Sequence, residues 1–109
     1  MPAVPPPLRL LLAAPPTAPG VGPLLEAARA VAVEGGSVAV FFTDAGLAGL
    51  SDASVAPLGD AGMRLSLCAR SARARGLDPA RVPASVTWSS LTAFLRDLEP
   101  GTRLWSAFP

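Results

Sequence analysis

Three apolar runs of strand length constrain this chain most: Leu8 to Ala13, Ser37 to Phe42 and Met63 to Leu67. Runs of this kind suit parallel strands covered on both faces. Helical spacing lies between them. Pro23 is placed for the first turn of a helix that reaches about Glu34, with Leu24, Ala28 and Val31 on one face and Gly35-Gly36 ending it. The stretch from Ala45 to Gly62 reads as one or two short helices, with Leu47 and Leu50 in the first and Val55 and Leu58 in the second. Beyond Leu77 to Pro83, a loop, Ser85 to Trp88 reads as a fourth strand. Ser89-Ser90 then caps a helix in which Leu91, Phe94, Leu95 and Leu98 recur at i, i+3, i+4 and i+7, and Pro100-Gly101 ends it. Arg103 to Phe108 is the last strand. The expected fold is a three-layer α/β/α sandwich with a mainly parallel five-stranded sheet. The chain has 109 residues, enough for one core, so residues 8–109 form one domain behind a proline-rich tail, residues 1–7.

The third run leads into the single cysteine. From Met63 the chain runs apolar to Leu67, reaches Cys68, then changes to helical spacing over Ala69 to Arg75 and stops at Gly76. Cys68 therefore falls at a strand-to-helix turn, where α/β proteins place their chemistry. A free thiol titrates near 8.5, so only about 3% is thiolate at neutral pH. Lowering that value by two units needs roughly 2.7 kcal/mol of preferential stabilisation of the anion. A helix N-terminus supplies about 0.3–1 kcal/mol when exposed, and at most ~2 when partly buried. Cations are expected to add the rest, and Arg70, Arg73 and Arg75 are the candidates, one of them rather than all three. Asp44 falls at the end of the second strand, on the same edge as Cys68 if the strands are parallel. A helix cap is its expected role, because an anion beside the thiolate would disfavour it.

The composition excludes several chemistries. Histidine and tyrosine are absent and all nine basic residues are arginine, a bias that also removes lysine, asparagine, glutamine and isoleucine. No His base, Cys–His pair, Schiff-base or Walker lysine, or His-bearing metal site can be built, and neither a metal nor an organic cofactor is expected. One cysteine allows no intramolecular disulfide and no C-x-x-C pair. A net charge of +1 with scattered arginines is no nucleic-acid footprint. The Leu8 to Ala14 run is short for a signal peptide and nothing approaches transmembrane length, so a cytoplasmic protein without membrane contact is expected. Half of the residues are hydrophobic, an excess for so small a domain that points to a homo-oligomer.

The segment Gly62-Met63, strand, Cys68, Ser71, Arg75-Gly76-Leu77 resembles the signature of the DsrE/DsrF/TusD-like sulfur-relay family. Leu25 to Ala32 is similar to that family's first helix, and Phe42 to Leu47 to its Asp-Gly turn, although here the turn reads Asp44-Ala45-Gly46. The resemblance implies a DsrE-like domain, in trimers or in hexamers, whose cysteine carries sulfur as a persulfide between donor and acceptor proteins. It makes Cys68 the reactive group, with Arg70 or Arg73 and a hydrogen bond from Ser71 supporting the charged sulfur. An oligomeric DsrE-like domain that transfers no sulfur, and holds a small ligand or a partner at the same edge, is the alternative. An exposed Cys68 beside an arginine favours the carrier, and a Cys68 buried with no solvent path favours the binding domain.

Overall fold

The computed structural model describes residues 4–109, so the first three residues of the proline-rich tail lie outside it. Five strands, β1 (Leu8–Leu12), β2 (Val38–Phe42), β3 (Arg64–Cys68), β4 (Val86–Ser89) and β5 (Arg103–Ala107), form one sheet in the order β4-β3-β2-β1-β5. Every pairing is parallel. All strand C-termini therefore share one edge, which brings the residues after β2 and β3 together.

The apolar runs bury both faces in the centre of the sheet, and β2 is buried throughout. On one face Leu8, Leu10, Leu12, Val38, Val40, Phe42, Leu65, Leu67 and Val86 form the main core. Helix α1 (Val21–Val33) adds Val21 and Ala28, α2 (Asp52–Asp60) adds Val55 and Leu58, and α3 (Ala69–Ala74) adds Ala72. The opposite face carries a smaller cluster, in which Phe94 of α4 (Leu91–Leu95) stacks on Phe41 beside Ala39. Cys68 and Leu11 pack against this second cluster. Trp88 and Trp105 lie half-buried at the margin of the main core.

Between β2 and α2 a 3-10 segment, Asp44–Gly49, crosses the sheet edge. It packs so closely on the end of β1 that a Cβ on Gly46 would overlap the Leu12 carbonyl. Helix α2 begins with Ser51, whose hydroxyl accepts the Ser54 N–H at 3.1 Å. Gly76, at φ +66, ends α3 in the left-handed conformation that the Arg75-Gly76 reading anticipates.

The last helix is shorter than its spacing predicts. Ser90 caps it as expected, accepting the Ala93 N–H at 3.1 Å, but it ends at Leu95, well before Pro100. Arg96 is extended and Asp97 takes a left-handed φ of +55. Of the four apolar residues in the stripe only Phe94 is buried, while Leu91, Leu95 and Leu98 stay exposed. Without a surface to bury them, nothing offsets the entropy of another turn, and Asp tolerates the left-handed exit.

Candidate functional site

Cys68 is both the last residue of β3 and the N-cap of α3. The sequence turns here because the apolar run that fills the sheet stops, and the small residues Ala69 and Ala72 let a helix start close against the sheet edge. The sulfur takes the place that a Ser or Asp oxygen usually fills at such a cap: Cys68 Sγ accepts the Ser71 N–H at 3.4 Å. The side chain is half-buried, open to solvent on one side and against the Phe41 and Phe94 cluster on the other.

Phe42 pairs with Leu67, so the next residues, Thr43 and Cys68, stand side by side at the C-terminal edge of the sheet. Thr43 Oγ1 lies 3.1 Å from Ser71 Oγ, and the Ser71 hydroxyl donates to Asp44 Oδ1 at 3.0 Å. One loop from β2 and one turn from β3 thus place a carboxylate, two hydroxyls and a thiol in one cluster.

Two effects act on the thiol in opposite directions. Burial raises its pKa, because a half-desolvated thiolate loses water. The Ser71 N–H, the Ser71 and Thr43 hydroxyls and the Arg70 N–H lower it and prevail, leaving Cys68 below its ordinary value. The donors are local backbone and hydroxyl groups. With six residues, α3 is too short for its dipole to dominate.

The candidates from sequence separate here. Cys68, Ser71 and Asp44 come together. Arg70 reaches the sulfur through its backbone N–H, while its side chain and that of Arg73 are exposed. Arg73 borders a shallow hollow with Gly76, Leu77, Pro79 and Trp88. Asp44 does not cap a helix. Thr43 is the N-cap of the 3-10 segment and makes no side-chain cap bond, and Asp44 is the first residue inside it, at φ +48. Its carboxylate is engaged by Ser71 instead.

Thr43 lies inside the Phe42 to Leu47 turn, and the sequence alone gives it no role at the site. Its signal was available only in register: a hydroxyl one residue past the strand that neighbours the cysteine strand. Nearby, an apolar cavity of about 110 Å³ is lined by Leu12, Val21, Leu25, Phe42 and Leu58. Pockets for organic ligands run to roughly 300–1,000 Å³, so this one is too small. Among the described residues no cluster of three His, Cys, Asp or Glu side chains could hold a metal ion.

A wholly parallel sheet with a cysteine held at its C-terminal edge defines an α/β domain of the type that places its chemistry at that edge. No family model and no curated protein sequence matches the chain. Among solved structures it is similar to the YchN protein from E. coli, with a TM-score of 0.73 and 15% identity over 93% of this chain and 98% of that one. The likeness is one of fold, a five-stranded parallel sheet with flanking helices. No helix among the described residues is long and apolar enough to cross a membrane.

Proposed function

We propose that the protein is a small sulfur carrier that accepts persulfide sulfur on Cys68 and passes it to an acceptor cysteine. The observation that carries this reading is the half-exposed Cys68 whose sulfur is held by hydrogen bonds that favour its anion. In the first transfer the Cys68 thiolate attacks the outer sulfur of a donor persulfide, R–S–SH. A Cys68 S–S bond forms, the donor S–S bond breaks, and the donor leaves as the thiolate R–S⁻ with the electron pair. The reaction Cys–S⁻ + R–S–SH → Cys–S–SH + R–S⁻ balances without an external oxidant or reductant. Repetition with an acceptor thiolate, Cys68 now leaving, returns the carrier. The Ser71 N–H and the Thr43 hydroxyl stabilise the anionic sulfur before attack and after release. Partners on this reading are donor and acceptor proteins in a reducing, cytoplasmic setting.

Incubation with a persulfide donor, read by intact mass, tests the proposal. Wild type gains one sulfur mass and Cys68→Ser gains none. Absence of uptake by wild type, with a thiol that alkylates no faster than free cysteine, leaves the non-transferring domain as the reading.

A further inference from the structure

On the face of the sheet that carries α4, a cavity of about 380 Å³ lies between the strands and the segment that follows the helix. Pockets for organic ligands begin at roughly 300 Å³, so this one has the room that the apolar cavity lacks. Side chains alternate along β3: Leu65 and Leu67 are buried in the main core, while Arg64 and Ser66 turn to the α4 face and line the cavity. Arg9 of β1 and Arg96 line it too. Arg9 pairs with Ala39, and Ala39 with Arg64. Two arginines therefore face the same way with one small residue between them, two strand spacings or about 9.5 Å apart at Cα.

We propose that this cavity binds a small organic polyanion, a molecule with two or more carboxylate or phosphate groups, and that Arg9 and Arg64 anchor it with Arg96 as the third cation. Neighbouring like charges repel unless an anion stands between them. The acceptors that the structure gives the two anchors are neutral: Arg9 donates to the Phe94 carbonyl and Arg64 to Ser37 Oγ at 3.1 Å. A guanidinium has five N–H donors, so most remain free for a ligand. Its planar fork matches the oxygens of a carboxylate or phosphate two at a time. Arg9 is also pre-positioned. It is half-buried, and its Cζ lies 5.6 Å from the centroid of the Phe94 ring, so little of its freedom is left to lose on binding. Thr87 and Ser89 add neutral hydroxyls for the body of the ligand.

Two carboxylates stand nearby. Asp97 lines the same cavity and Glu99 a hollow that shares Arg9 and Arg64, and both are exposed on the segment after α4. Three arginines against Asp97 leave a charge of +2 on the lining, which a dianion balances and a monoanion does not. With Glu99 counted the surplus is still positive. The site runs along the face of the sheet, apart from the cluster of Thr43, Asp44 and Ser71 around Cys68, and it needs no transfer of sulfur.

Isothermal titration of the full chain with citrate, with fructose 1,6-bisphosphate and with acetate, at one ionic strength, tests the proposal. Citrate or the bisphosphate is expected to bind saturably at one site per chain, and acetate at least about tenfold more weakly. Whichever polyanion binds more tightly tells whether the site is built for carboxylates or for phosphates. Arg64→Gln, at an exposed position, is expected to weaken that binding about ten- to a hundredfold. Arg29→Gln removes the same charge from α1, which covers the opposite face, and is expected to change it less than about twofold. Arg96→Gln, also exposed, repeats the measurement if Arg64→Gln melts early. No saturation by either polyanion at millimolar concentration overturns the proposal. So does acetate binding as tightly as the polyanions, or an equal loss in Arg64→Gln and Arg29→Gln, which would reduce the effect to net charge. Binding is read without a persulfide, so the result does not depend on whether Cys68 takes up sulfur.

Discussion

At Cys68 a weak acceptor, sulfur, occupies a helix cap, and its chemistry follows from who donates to it. The Ser71 N–H is fixed by α3, but the Thr43 hydroxyl can be removed without touching the backbone. Thr43→Val, nearly isosteric, is expected to move the alkylation midpoint up towards the ordinary ~8.5 of a free thiol. The rate at pH 7 should fall about two- to fivefold, and iodoacetamide kinetics over pH 6–10 check it. An unchanged midpoint would leave the backbone donors as the whole cause. Linkage gives the same pKa a second reading. Because the folded thiol lies below the unfolded one, its contribution to stability is complete above the unfolded value. It is lost as pH falls through the folded value, and Cys68→Ser removes that dependence. At this scale the cysteine was legible from sequence and its neighbours only partly. Ser71 is close in the chain, whereas the Asp44 contact depends on two loops meeting across parallel strands. No local rule for helix caps contains that information.

The 3-10 segment after β2 is the element on which the cluster depends, since it carries Thr43 at its cap and Asp44 in its first position. Its approach to β1 is possible because residue 46 has no side chain. Gly46→Ala must push the segment away from the Leu12 carbonyl, which is backbone and cannot yield by a rotamer change. A loss of about 1–3 kcal/mol in urea unfolding is expected, together with a higher Cys68 alkylation midpoint as Thr43 and Ser71 separate. A variant as stable as wild type would mean that the segment is loosely held. Strands are where sequence and structure agree best, because an apolar run bounded by glycine or proline has few other fates. The end of α4 was hidden for the complementary reason. Leu95 and Leu98 keep helical spacing, but no element lies over them, and periodicity cannot show whether a partner surface exists.

Across the whole molecule the two faces of the sheet are unequally covered: three helices pack on one and the five-residue α4 on the other. Leu91, Leu95 and Leu98 on and after α4, and Leu104 and Phe108 on and after β5, remain exposed. On the proposal that copies of the chain assemble, these residues supply the contact. Leu104→Arg with Phe108→Arg is then expected to lower the sedimentation mass to that of one chain at micromolar concentration while leaving Cys68 alkylation unchanged. A wild-type protein that already sediments as a monomer would remove the expectation.

The strand order adds something about how such a chain is made. Strand β1 lies inside the sheet, yet one of its two neighbours is β5, the last strand in the chain. During synthesis the first four strands can pair while the outer side of β1 stays an open edge, able to recruit a strand from another nascent chain. The edge closes only when Arg103–Ala107 leaves the ribosome, so the strand translated latest of the five decides whether the earliest is protected.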